Sequence, residues 1–157
     1  MPSAGRDALL TGVANRQNAE GWRLTAVPCN FASAAAVATI TGVIKIRNIV
    51  GRCTTAIATT TSIQLSMGGT AMTASSDVVG LATTAILVRE SGTATVLTEL
   101  TEPVGSLLAA PTEYLAGGSS AGTILSVLKN ASGTGVITFT IEWTPLTAGA
   151  GIVADQA

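Results

Sequence analysis

Few residues in this chain could do chemistry, and their spacings do not add up to a reactive site. The sequence contains no histidine. That removes the commonest general base, the usual partner of a serine or cysteine nucleophile and the commonest metal ligand. Zinc would have to be held by Cys29, Cys53 and carboxylates, an uncommon donor set. Ser126 and Lys129, in "SVLK", match a nucleophile–base spacing used in some acyl-transfer enzymes. That pairing needs a helical turn to bring positions i and i+3 together. The segment "TILSVLK" reads as a strand, where i and i+3 point to opposite faces. An ordinary strand ending in an exposed lysine is the better reading.

Three further motifs dissolve in the same way. "GGSSAGT" at 117–123 is glycine-rich, but it lacks the lysine of a phosphate-binding loop and precedes a strand rather than a helix. Glu99 and Glu102 are close enough for acid–base work or a hard cation, yet no second acidic cluster lies near in sequence. They read as a solvated strand end. Asn130-Ala131-Ser132 fits a glycosylation sequon, but without a secretory signal it reads as a turn.

The aromatic residues are Trp22, Phe31, Tyr114, Phe139 and Trp143. A sugar-binding module spends exposed rings on stacking against the apolar face of a sugar. Phe139 and Trp143 lie on a core-like parity, which leaves Trp22 and Tyr114 for that work or for an interface. The two cysteines are expected as buried thiols. A Cys29–Cys53 bond cannot be argued from spacing.

The elements that must position these residues are strands. In "VITFTIEW", Ile137, Phe139, Ile141 and Trp143 share one parity, and Thr138, Thr140 and Glu142 the other. "VIKIRN" sets Ile44 and Ile46 against Lys45 and Arg47. "AIATTTSIQLSM", 56–67, reads as one alternating strand with Ile57, Ile63, Leu65 and Met67 on one side. Such alternation, rich in β-branched Thr, Val and Ile, marks half-buried strands. Gly68-Gly69, "ESGT" at 90–93, "AGGSSAG" at 116–122 and "NASGTG" at 130–135 supply turns between them. Short strands with regularly spaced turns predict an all-β fold, a single antiparallel β-sandwich or jelly-roll-like domain.

Three segments follow. Residues 1–22 form an N-terminal arm or a short helix, with Ser3 as cap and Ala8, Leu9 and Val13 on one side; Gly5 and Gly12 weaken the helix. Residues 23–144 form the β domain. Residues 145–157 form a C-terminal tail in which Pro145 weakens the ladder and small residues allow close approach. That tail lies either on its own sheet, as an added strand, or on a neighbouring subunit.

Only 11% of residues are charged, against about 25% in an average domain, and the net charge is −1. Such a surface invites association, with a trimer or another small closed ring as the expected form. It offers nothing to draw nucleic acid or an anionic membrane over distance, so neither is an expected partner. No apolar run reaches the length of a membrane helix. "MPSAGRDALLTGVANRQ" has no basic stretch followed by an apolar one, so synthesis in a cytoplasm without a secretory signal is expected.

Two stretches resemble small β-rich virion proteins of tailed bacteriophages: "GVIKIRNIVGRCTTAIATTTSIQLSMGG", 42–69, and "GTILSVLKNASGTGVITFTIEWTPLTAGAGIVA", 122–154. Three features carry the likeness. They are the "TTAI" step at Thr54–Ile57, the "GTI" strand start at Gly122–Ile124, and an aromatic final strand running through Trp143, Pro145 and Leu146 into a small-residue tail. The resemblance covers under half of the chain. It implies a non-enzymatic virion component without cofactors, either a capsid decoration or cement protein bound to the major capsid protein, or a tail, neck or fibre component. No collagen-like or coiled-coil stretch marks a fibre shaft, which favours the head-bound role. A carbohydrate-binding or adhesion module using Trp22 and Tyr114 is the reading from a different class. The interface candidates are Leu9, Leu10, Trp22, Tyr114, Pro145, Leu146, Ile152 and Val153.

Overall fold

The alternating segments fold as strands, and the turn clusters separate them. The computed structural model of the chain describes residues 21–33, 35–59, 62–89, 97–100, 114–117, 122–130 and 133–156. The expected N-terminal arm or helix, with Leu9 and Leu10, lies outside the described residues apart from Gly21 and Trp22. Among the described residues there is no helix. The strands are β1 (Arg23–Asn30), β2 (Ala36–Thr41), β3 (Val43–Thr55), β4 (Ser62–Met67), β5 (Thr70–Ala71) and β6 (Ser76–Asp77). They continue as β7 (Ile86–Arg89), β8 (Leu97–Leu100), β9 (Tyr114–Gly117), β10 (Thr123–Lys129), β11 (Val136–Pro145) and β12 (Gly151–Ala154).

Among the described residues the strands form two antiparallel six-stranded sheets. One, sheet A, runs β1-β11-β3-β7-β8, with β9 on the same edge of β3 as β7. The other, sheet B, runs β12-β2-β10-β4-β5, with β6 also on β4. The pairings nest. β1 pairs with β11, β2 with β10, β3 with β7, and β4 with β5. A long hairpin of nested pairs, rolled until β11 meets β3 and β10 meets β4, is a jelly roll. Strand order therefore decides between the two architectures that periodicity left open.

The core lies between the sheets. From sheet A come Val27, Ile44, Ile46, Ile137, Phe139, Ile141 and Trp143; from sheet B come Ile40, Ile63, Leu65, Leu125 and Val127, all buried. Gly51 of β3 pairs with Phe139 of β11, and a Cβ at Gly51 would sit 3.0 Å from the Phe139 ring. The missing side chain is what lets the ring lie across β3.

Two expectations change in detail, and a third had left two alternatives open. Of the strand predicted over 56–67, β4 takes up Ser62–Met67, while Ile57 is buried from a loop, not a strand. Lys129 does not end its strand in solvent. It is half-buried, and its Nζ donates to the carbonyls of Phe31 and, at 2.6 Å, Ser33. The tail is an added strand of its own sheet. β12 pairs with β2 from Gly151↔Thr41 to Ala154↔Ala38, and Ala150 is buried.

The tail is fastened beyond its ladder. The Asn30 backbone N–H donates to Gln156 Oε1 at 2.7 Å, and Gln156 Nε2 donates to the Ala36 carbonyl at 2.7 Å. One amide thus spans β1 of sheet A and β2 of sheet B. At the other end, the Val43 N–H donates to Thr147 Oγ1 and the Leu146 N–H to the Val43 carbonyl. Gly42, in the tight corner between β2 and β3, has φ +64°, and a Cβ there would lie 2.9 Å from Ala150 Cβ. Glycine satisfies both demands.

Candidate functional site

Strand β10 places Ser126 and Lys129 on opposite faces, so the S-x-x-K spacing makes no dyad. Ser126 pairs outward with Ala36 and Ser66, while Lys129 turns inward to Phe31 and Ser33. Asn130 Oδ1 accepts from the Ser62 N–H at 3.1 Å, so the sequon asparagine serves as a turn clamp. Glu99 lies in β8 opposite Leu87; Glu102 and most of "GGSSAGT" lie outside the described residues. Among the described residues no three Cys, Asp or Glu side chains gather as a metal site.

Cys29 and Cys53 are both free and buried. Cys29 pairs with Ile137, and Ile137 with Cys53, so β11 runs between them. Two strand spacings place their backbones about 9.6 Å apart, beyond the reach of a disulfide. Burial pushes the Cys29 thiol up to about 11, partly offset by the Lys129 charge. A thiol held so firmly protonated is a poor nucleophile.

Two surfaces remain. The first is the outer face of sheet A around the start of β3. Between β3 and β11 the register slips, with Glu142 opposite Asn48 and Trp143 opposite Ile46. Arg47 is therefore the extra residue of a bulge, a device that re-aims a side chain. Its guanidinium lies 5.4 Å from the Trp22 ring centroid and 3.7 Å from Glu142 Oε1. Lys45 reaches the same ring at 5.9 Å, whereas Arg23, paired with Trp143 on the core-facing side of the sheet, lies 5.3 Å from the Trp143 ring. These are cation–π distances. Trp143 stays in the core and donates from Nε1 to Thr25 Oγ1 at 2.9 Å. Gly21, Trp22, Arg23 and Pro145 line a cleft of about 170 Å³ here.

The second surface is the outer face of sheet B. Ile124 (38% exposed), Leu128 (45%) and Val153 (61%) stand on it, separated by Thr39, Ser126 and Gln64. Its carboxylates among the described residues are Asp77, at the β6 edge, and Asp155, beside Thr39 between Ile124 and Val153, and both are hydrogen-bonded. Asp77 accepts from the Val79 N–H, and Asp155 from Thr39 Oγ1.

The sequence candidates thus divide between two places. Trp22 and Pro145 meet at the cleft, and Leu146, 51% exposed, is bonded to Val43 beside it. Tyr114 pairs with Ile46 at the same end of β3. Ile152 packs against the core from β12, while Val153 belongs to the sheet B face. Leu9 and Leu10 lie outside the described residues. Sequence reasoning missed Arg23, Lys45 and Arg47 as companions of Trp22, and Ile124 and Leu128 as companions of Val153. The parity of Lys45 and Arg47 was legible, but the bulge and the strand order that gather these groups were not.

No protein-family model, curated protein or solved structure matches the chain.

Proposed function

We propose that this chain is a non-enzymatic structural protein of a bacteriophage particle, and within that class a capsid decoration protein that bridges shell subunits. The observation that carries this reading is the outer face of sheet B. Exposed Ile124, Leu128 and Val153 stand among small hydroxyl and amide side chains; of the described carboxylates on this face, Asp155 is tied to Thr39 between Ile124 and Val153, and Asp77 lies at the far edge. A rigid sheet with aliphatic anchors, and with its neighbouring carboxylate Asp155 held by Thr39, suits burial against a flat protein surface. The jelly roll supports the reading only as analogy, since viral capsid domains, lectins and cupins share it.

The mechanism is added buried area and added constraint, without a reaction. The partner is the major capsid protein, the location is the virion, and the subunits associate as a closed ring, with a trimer as the working form. Mass spectrometry of purified host particles tests this. Stoichiometric protein in the particle, released together with loss of head stability, is expected. Particles that lack the protein refute the proposal. Immunogold labelling at the tail or neck, rather than the head, would move the assignment to the alternative position within the same class.

A further inference from the structure

Among the described residues sheet A is open along β1 on one side and along β9 on the other. The Phe31 N–H donates toward β11, to the Gly135 carbonyl, while the Asn30 N–H turns the other way, to Gln156. The β1–β11 ladder has no register shift, so alternation points the backbone groups of Leu24 and Ala26 away from β11. Pro28 shares their parity, has no N–H to offer, and closes this edge. On the far side, Val43 bonds toward Leu146 and Thr147. Ile44 and Ile46 therefore face β9, and the N–H and C=O of Leu115 point away from the sheet. Leu24, 63% exposed, and Leu115, 74% exposed, are the two most exposed large hydrophobics among the described residues. Leu24 pairs with Glu142 and Leu115 with Lys45, so both side chains stand on the outer face of sheet A.

We infer that β1 of one copy adds to β9 of the next, head to tail, with Leu24 opposite Leu115 of the neighbouring copy. Strand polarity fits this. Three antiparallel steps, β1 to β11, β11 to β3 and β3 to β9, leave β1 and β9 running in opposite directions. A rotation about an axis parallel to the strands keeps those directions, so it brings β1 and β9 together as an antiparallel pair. Repeated, the same rotation closes a ring. Parity fits as well. Leu24 and Leu115 each point backbone groups off an open edge and a side chain to the outer face. Set opposite one another, they exchange two backbone hydrogen bonds and each leucine covers the other. Pairing of β1 with its own copy across a two-fold axis would leave Leu115 and the β9 edge uncovered, and an uncovered edge invites further pairing. This deepens the ring association proposed above and rests on that part of the reading alone. It leaves the outer face of sheet B available to the shell.

Sedimentation equilibrium of the full chain, together with mixing of single-cysteine variants, tests it. A closed oligomer of fixed mass is expected. Leu24→Asp and Leu115→Asp, both at exposed positions, should each give a monomer whose circular dichroism matches the unaltered protein. Val153→Asp on sheet B should leave the oligomer unchanged. A hydrogen-bonded antiparallel pair sets its Cα atoms about 5.5 Å apart, within reach of a disulfide. Leu24→Cys mixed with Leu115→Cys should therefore cross-link on oxidation, and neither variant alone should do so. A monomer at every concentration overturns the inference. So does an oligomer that both aspartate variants leave intact, or cross-linking of either cysteine variant alone as readily as of the mixture. A monomer that still binds heads would refute the ring and leave the bridging role standing; an intact ring that never binds heads would refute the bridging role alone.

Discussion

Gln156, next to last in the chain, holds Asn30 at the end of β1: the Asn30 N–H donates to Gln156 Oε1 at 2.7 Å, 126 residues apart in sequence. The same side chain donates to Ala36 of β2. The C-terminal segment is therefore part of the sandwich, and its low charge follows from lying against its own sheet. Gln156→Ala leaves the Asn30 donor without this partner, and should destabilise the protein by about 1–2 kcal/mol. Chemical denaturation will measure this. Deletion of 147–157 should do far more, removing β12, Ala150 and the Thr147 bond to Val43. A deletion variant as stable as the full chain would contradict the clasp.

Phe139 lies over Gly51, and the two positions should respond in opposite senses of volume. Phe139→Ala empties the centre of sheet A and should lose about 3–5 kcal/mol. Gly51→Val puts a branched side chain where a Cβ would already meet the ring at 3.0 Å. It should lose about 1–3 kcal/mol by overpacking. In the double variant the valine has room, so the two losses should not add. Additive losses in thermal unfolding would argue against the stacking.

Cys29 gives the fold an alkaline limit. Its folded pKa is raised to about 11 from 9.0, so between those values the unfolded chain loses a proton that the folded chain keeps. Stability from this group is complete below pH 9 and falls as pH rises through 11, by about 3 kcal/mol in all. Cys29→Ala should flatten the loss of stability between pH 9 and 11. Neither cysteine of the native protein should react with a thiol reagent at neutral pH on the timescale on which denatured chain reacts fully. An unchanged pH profile in Cys29→Ala would show that another group sets the limit.

Much of the sandwich could be read from side-chain period. The inward residues of β11, and the alternation of Ile44 and Ile46 against Lys45 and Arg47, followed from local pattern because a strand between core and solvent must alternate. What could not be read depends on contacts distant in sequence. Ile57 fitted a strand parity yet is buried from a loop, because its N–H turns away to donate to the Leu81 carbonyl. Lys129 looked solvated, but the carbonyls it caps come from 96 and 98 residues earlier. The cation–aromatic cluster needed the bulge at Arg47, and a one-residue irregularity leaves no mark on composition.

The proposed bridging role rests on the outer face of sheet B, and cosedimentation tests it most directly. Host phage heads stripped of the protein should recover it from solution at saturating stoichiometry. Ile124→Glu and Leu128→Glu place carboxylates on exposed positions of that face, so both should fold normally and fail to sediment with heads. Arg47→Ala on the opposite sheet should sediment like the unaltered protein. Heads that never bind the protein, or that bind the two glutamate variants as well as the unaltered chain, would contradict the account.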